Sequence, residues 1–433
     1  MRFKCPVPTS SDSKPDVQIA GRLLLEMFVC GTALAFCQVS RAAEPTSFRF
    51  DFGGGPVVAG HIQITPTNLY SAGAGYGFEP DANVTVAGGC VTSTNPFYFS
   101  VKLPEGNYRV TVRLGDRTGE STTTIKAELR RLMLEKVHTV AGGTVTRSFI
   151  VNLRTPQIPG DGEVRLKPRE MGSEKWDWDD KLTLEFNGTR PSLNTLEIEK
   201  ADVPTVFILG DSTVCDQPAE PWNSWGQMLP RFFRPDIAVA NHAESGETIA
   251  SSLGAHRFEK VFSLMKAGDY LLLQFGHNDM KSRATNALER YTTDFKRVIA
   301  ETRAKGGTPV LVTSMERKAG VEHPTLAGYP DAVREVAREE HCALIDLNAM
   351  SVVFYKALGT NLSKAFVDGT HHDNYGSYEL AKCVVEGIRQ DKLPLAKFVV
   401  DDFGNFDPTK PDDVNMFEMP ASPNVSAVRP LGN

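Results

Sequence analysis

The chain has 433 residues, 41% hydrophobic and 23% charged, with a formal net charge of −6. That length exceeds one ordinary core and calls for two domains plus tails, and the composition is that of a folded chain, which excludes disordered and fibrous classes. No run of Lys or Arg makes a basic stripe, so nucleic acid is not an expected partner; nor does a mildly acidic chain draw in an anionic polymer, so any such partner must be recognised locally.

Residues 1–43 read as a leader. The apolar stretch 27–37, MFVCGTALAFC, follows Arg2, Lys4 and Arg22, and Ser40-Arg41-Ala42 offers small residues at the two positions a signal peptidase reads. The expectation is a secretory signal and a secreted or periplasmic protein; Glu26 at the edge of the stretch allows the other reading, a start nearer Met27. The stretch is too short for a comfortable membrane span, and no later segment qualifies. Cys5, Cys30 and Cys37 fall in the leader, leaving Cys90, Cys215, Cys342 and Cys383 without metal-ligand spacing. Buried free thiols are expected, with a Cys342–Cys383 bond as the alternative in an exported protein.

Residues 44–201 alternate with period two. In FYFSVKL, Phe97, Phe99, Val101 and Leu103 share one face; in NYRVTVRL, Tyr108, Val110, Val112 and Leu114 do. SFIVNL, EVRLKP, KLTLEF and NTLEIEK repeat the pattern between turns such as Pro104-Glu105-Gly106-Asn107. Short alternating strands with turn punctuation predict an all-β sandwich. From 202 to 397 the rhythm changes. TVFILG, DIAVAN, DYLLLQFG, TPVLVTS and CALIDL are continuous apolar runs, as strands buried on both faces require. Helical stretches lie between them; in ERYTTDFKRVIAETR, Tyr291, Phe295, Val298, Ile299 and Thr302 make one face. YPDAVREVAREEH and YGSYELAKCVVEGI are also helical in pattern. The fold class expected is therefore multidomain: the sandwich, then a three-layer α/β domain on a parallel sheet. Residues 398–433 are polar and Pro-rich and are expected to wrap the surface or hang loose.

In an open parallel sheet, sites form at the carboxyl ends of strands. Four segments lie there: GDSTV (210–214), NHAESGE (241–247), GHND (276–279) and DGTHHDNYG (368–376). Ser212 is a candidate nucleophile if a base reaches it, and a helix cap otherwise. Asp368 and His371, three apart, let one loop set a carboxylate against an imidazole. A capping Asp with an exposed His is the plainer reading, and a metal site from His371, His372 and Asp373 a third. The amides of Ser212 and Gly246 and the side chain of Asn278 are candidate oxyanion donors, against a plain turn glycine and a loop-organising Asn. Asp211, Trp222 and His277 flank these groups as candidate substrate contacts, with Trp222 and Trp225 equally suited to helix packing. There is no GxSxG elbow.

GDS, a central Gly, GxND and DxxH, in that order, resemble the signature blocks of SGNH/GDSL hydrolases. GDSTV, WGQMLPRFF, GHND, YPDAVRE and DGTHHDNYG resemble the rhamnogalacturonan acetylesterase branch over roughly 203–395. The resemblance implies a flavodoxin-like SGNH domain, with Ser212 as nucleophile, Asp368 and His371 as its partners, and Ser212, Gly246 and Asn278 as the oxyanion hole. It implies no cofactor and no metal, and an acetylated polysaccharide as substrate: rhamnogalacturonan first, another acylated glycan such as xylan second. A glycan-binding protein with a dead hydrolase domain is the rival from another class. Two departures stand out: AESGET has no Arg soon after its glycine, and His372 replaces an aromatic residue. The first half, with FDFGGG, GYGFE and KWDWDDKLTLEFNG, resembles the galactose-binding-like sandwich fused to such esterases. There Trp176 and Trp178, with Asp177, Asp179 and Asp180, suggest either sugar stacking and a calcium site or packing against the catalytic domain.

Overall fold

The computed structural model describes residues 45–160 and 162–431. The expected leader, with Cys5, Cys30 and Cys37, lies outside the described residues.

Alternating apolar residues build the first half as two facing five-stranded sheets. One runs in the order Val145–Leu153, Gly106–Leu114, Thr195–Lys200, Ser47–Asp51, Ile62–Gln63; the other runs Tyr76–Phe78, Phe97–Lys102, Lys181–Asn187, Ser121–Ala127, Arg131–Thr139. Phe97, Phe99, Val101 and Leu103 meet Tyr108, Val110, Val112 and Leu114 in one core. Phe52, Phe78, Phe97 and Phe99 make edge-to-face contacts there, and each buried ring contributes about 2–3 kcal/mol by area removed from water.

One alternating run does not join the sandwich. EVRLKP yields only the short strand Gly162–Glu163, and the chain then crosses to the α/β half, where the Arg165 amide donates to Ala255 O at 3.0 Å. Val164 is buried with Ile158 and Trp178 instead of in the sheet core. Alternation reports that one face is covered, not what covers it.

The second half is a five-stranded parallel sheet in the order Ala238–Asn241, Thr205–Gly210, Tyr270–Gln274, Thr308–Val312, Ala343–Ile345. Val206 and Ile208 point to one core with Trp225 and the helix Asn374–Gln390; Phe207 and Leu209 point to the other with the helices Ala287–Ala304 and Tyr329–Glu339. The helix Ala287–Ala304 buries the expected face, Tyr291, Phe295, Val298, Ile299 and Thr302. A helix that periodicity did not reveal, Leu347–Leu358, is apolar on several sides and is started by Asp346, whose carboxylate accepts from the Ala349 amide. Because the second strand of the chain lies on one side of the first and the third on the other, the chain reverses direction across the sheet at the end of Thr205–Gly210, which opens a crevice there.

The tail wraps the surface. Phe406 is buried, Phe417 packs on Tyr375 and Tyr378, and Val425 bridges Glu220. Cys90, Cys215, Cys342 and Cys383 are free thiols. Among the described residues no helix is long and apolar enough to cross a membrane.

Candidate active site

Ser212 sits in a tight turn directly after the strand Thr205–Gly210. Asp211 shapes that turn: its carboxylate accepts from the Thr213 amide at 2.9 Å and hydroxyl at 2.8 Å, and its carbonyl accepts from the Val214 and Cys215 amides. A Cβ at Gly210 would stand 2.6 Å from Gln274 O, so only glycine lets the turn lie this close to the next strand. No helix follows Ser212; the next begins at Trp225 with Ser224 as its cap, which removes the capping reading.

The loop carrying Asp368 and His371 is pinned by the Val367 amide on His371 O and the Asn223 amide on His372 O. Asp368 Oδ1 accepts from the Thr370 and His371 amides, both at 2.7 Å, and Oδ2 lies 3.0 Å from His371 Nδ1. Burial pushes the Asp368 carboxyl up, but the His371 ring and the two amides outweigh it and hold the group well below the usual carboxylate range. An ionised carboxylate only accepts, so Nδ1 carries the ring proton and Nε2 faces the Ser212 hydroxyl, 2.8 Å away, as acceptor. Trp222 packs edge-on against the same ring, centroids 5.7 Å apart.

The candidate oxyanion donors are on hand. Gly246 has φ +78°, a left-handed conformation suited to glycine. Among the described residues no hydrogen bond engages its amide or that of Ser212. Asn278 is oriented from both ends: its Nδ2 donates to Glu247 O at 3.0 Å and its Oδ1 accepts from Lys281 Nζ at 2.9 Å. One amide proton of Nδ2 remains to be donated elsewhere.

Two candidate substrate contacts, like Ser212 and His371 themselves, are buried. Asp211 is fully buried and uses Oδ1 to shape its turn, while among the described residues Oδ2 has no hydrogen-bond partner. His277 is buried, and burial followed by the charge of Arg317 lowers its pKa to about 3, so its ring is neutral. Neither lines a cavity beside the triad. Trp222 does, while Trp225 is wholly buried and donates to Gln274.

The three members of the metal reading diverge. His371 faces Ser212, Asp373 caps the last long helix through the Gly376 amide, and His372 is within 2.8 Å of the Tyr355 hydroxyl. His372 also lies 4.2 Å from Phe366, stacks on Tyr355, and is kept neutral by burial, pKa about 3. It therefore fills an aromatic slot as an aromatic ring would. The tryptophan motif belongs to packing: Trp178 is buried under Arg154 and edge-on to His242, and Asp177 is paired with Arg131 and Arg154. Trp176 is half-buried against Tyr98.

Two cations from another segment stand beside the Gly246 loop. Lys167, on the segment that crosses from the sandwich, donates to Ser245 O at 2.6 Å and pairs with Glu247 at 2.6 Å; Arg169 lies 3.5 Å from Glu244. Sequence reasoning missed these residues, and also Gln217, whose side-chain amide donates to Ser212 O at 2.7 Å. The one available signal for the former was a pair of cations on an alternating stretch, which by itself reads as solvated surface.

With this geometry in hand, comparison with known proteins finds two family matches. Residues 208–376 match the GDSL-like lipase/acylhydrolase family, and residues 48–158 match the beta-agarase/YXIM esterase-like, galactose-binding domain-like family. Rhamnogalacturonan acetylesterase RhgT of Bacillus subtilis is 38% identical over 219 residues, spanning 45% of this chain and 94% of the relative. The uncharacterized esterase YxiM of the same organism is 28% identical over 386 residues, 82% of this chain and 93% of the relative. The probable rhamnogalacturonan acetylesterase YesY, also of Bacillus subtilis, is 31% identical over 210 residues, 45% of this chain and 97% of the relative.

Proposed function

The chain belongs to the GDSL-like lipase/acylhydrolase family, a carboxylic ester hydrolase with a galactose-binding-like domain before it, and from that premise we propose that it removes acetyl groups from plant rhamnogalacturonan with Ser212, His371 and Asp368. The observation that carries the chemistry is the unbroken line from Asp368 through His371 to Ser212, at 3.0 and 2.8 Å. The substrate rests on the relatives that carry that name at 38% and 31% identity. A polymer of this size is met outside the cell, in keeping with the leader expected from the sequence.

His371 Nε2 takes the proton from Ser212 as its oxygen attacks the acetyl carbonyl. The Ser212 and Gly246 amides and Asn278 Nδ2 receive the charge on the carbonyl oxygen, and Asp368 steadies the imidazolium. His371 then gives the proton to the departing sugar hydroxyl. Water, deprotonated by His371, releases acetate and restores Ser212.

The test is acetate release from acetylated rhamnogalacturonan, acetylated xylan and p-nitrophenyl acetate. The proposal expects kcat/KM at least tenfold higher on rhamnogalacturonan than on xylan; the reverse order reassigns the substrate and leaves the chemistry standing. Asn278→Ala is expected to lower kcat about 100- to 1000-fold with a smaller change in KM, because its remaining N–H is worth most when the oxyanion forms. A change confined to KM in steady-state kinetics makes Asn278 a binding residue only.

A further inference from the structure

We propose that a cavity beside the triad seats the departing sugar chain, and that Arg429 on the C-terminal strap reads a carboxylate of an acidic sugar unit held there. This rests on the hydrolase reading above. The cavity measures about 620 Å³, within the ~300–1,000 Å³ typical of ligand sites. Its walls include Trp222, Gln217, Lys167, Arg169, Arg429 and Leu431. They come from three separate parts of the chain: the loop after the nucleophile, the segment crossing from the sandwich, and the tail.

Position identifies the occupant. The leaving oxygen must take its proton from His371, so the alcohol side of the ester lies on the imidazole side of Ser212. Trp222 both packs on the His371 ring and walls the cavity, and Arg429 Nε lies 3.9 Å from Asp368 Oδ2. Neither the triad nor Gly246 and Asn278 line it directly; Trp222 on the His371 ring and Arg429 beside Asp368 are what join it to the imidazole. The cavity is therefore on the leaving-group side.

Charge identifies the sugar. Of the cations in the walls, Lys167 is engaged by Glu247 and Ser245 O, and Arg169 by Glu174. Arg429 is 68% exposed, and among the described residues its nearest carboxylate is Asp368, which already serves His371 and two amides. Its guanidinium is a planar fork open to a carboxylate. The strap is fastened a few residues before it: Ser426 O accepts from Trp222 Nε1 at 2.8 Å, Asn424 O from the Glu220 amide at 2.8 Å, and Pro218 O from Asn424 Nδ2 at 2.7 Å. A chain with net charge −6 has no long-range attraction for a polyuronide, and this local cation supplies one.

The experiment compares the full-length wild type with Arg429→Gln and Arg429→Lys on an acetylated uronate-containing oligosaccharide and an acetylated neutral xylo-oligosaccharide. Arg429→Gln is expected to lower the acidic-to-neutral ratio of kcat/KM about 10- to 100-fold, mainly through KM on the acidic substrate, and Arg429→Lys to recover part of it. A ratio within twofold of wild type overturns the proposal; so does an equal loss on both substrates, which would place Arg429 behind Asp368 instead of on the sugar. Failure of wild type to act on either oligosaccharide while cleaving p-nitrophenyl acetate overturns the polysaccharide reading itself.

Discussion

Ser212→Ala is expected to lower kcat on an acetyl ester by about 10⁴- to 10⁶-fold, because no other group stands where the acyl carbon must be attacked. The hydroxyl is buried, and its partner is His371 Nε2 at 2.8 Å. Alanine fits the same turn, since Asp211 and Thr213 shape it without help from the Ser212 side chain. The fold should therefore lose only about 1 kcal/mol, the net worth of one hydrogen bond, and the thermal unfolding curve should stay close to wild type. His371→Ala should cost a similar factor, and the double variant little more than either single one, because the two groups act as one unit. Wild-type-like turnover by a folded Ser212→Ala protein ends the triad assignment. Mass spectrometry after treatment with a serine-directed organophosphate gives an independent check: the label belongs on Ser212.

The sequence showed what repeats locally and what lies at strand ends. Period-two faces such as Phe97–Phe99–Val101 and the helical face from Tyr291 to Thr302 appear in the structure as read, because local periodicity and burial are the same information. The four site segments were legible for a related reason: in a parallel sheet, strand ends from distant parts of the chain converge on one edge. What stayed hidden depends on partners far away in sequence. EVRLKP showed an apolar face but not that the α/β half would cover it. His372 read as a departure until Phe366 and Tyr355 surrounded it. Lys167 carried no signal of its own in the sequence, yet it braces Ser245 and Glu247 beside the candidate oxyanion glycine. Asp211 and His277 lay inside the right motifs, yet the sequence did not show that both side chains are buried.

The sandwich is expected to be inseparable from the catalytic half, and Arg131→Met tests this with the largest stability effect we predict, a loss of about 3–5 kcal/mol. Arg131 follows a turn in which Glu128 and Arg130 both take positive φ, and its side chain is 1% exposed. It donates to Asn152 O at 2.8 Å inside the sandwich, and pairs at 3.1 Å with Asp177 and at 3.1 Å with Asp216 of the nucleophile loop. Arg130 beside it donates to Gln217 O at 3.1 Å and Trp222 O at 2.9 Å, and Gln217 in turn holds the carbonyl of Ser212. Two adjacent arginines, one in the turn and one opening the next strand, thus grip the loop that carries the nucleophile. With methionine at 131, Asp177 keeps Arg154, 2.9 Å away, while Asp216, whose carboxyl is already pushed up to about 8 by burial and the Asp177 charge, loses its ion pair and keeps the Asn241 amide and the weaker pull of Arg154. Urea unfolding should register that loss, and kcat should fall with it as the Asp216–Gln217 segment loosens. Adding Asp216→Asn should restore part of the stability, because removing both members of a buried pair costs less than stranding one. If Arg131→Met unfolds within 1 kcal/mol of wild type and keeps its kcat, the sandwich is a passenger on the esterase and not its support.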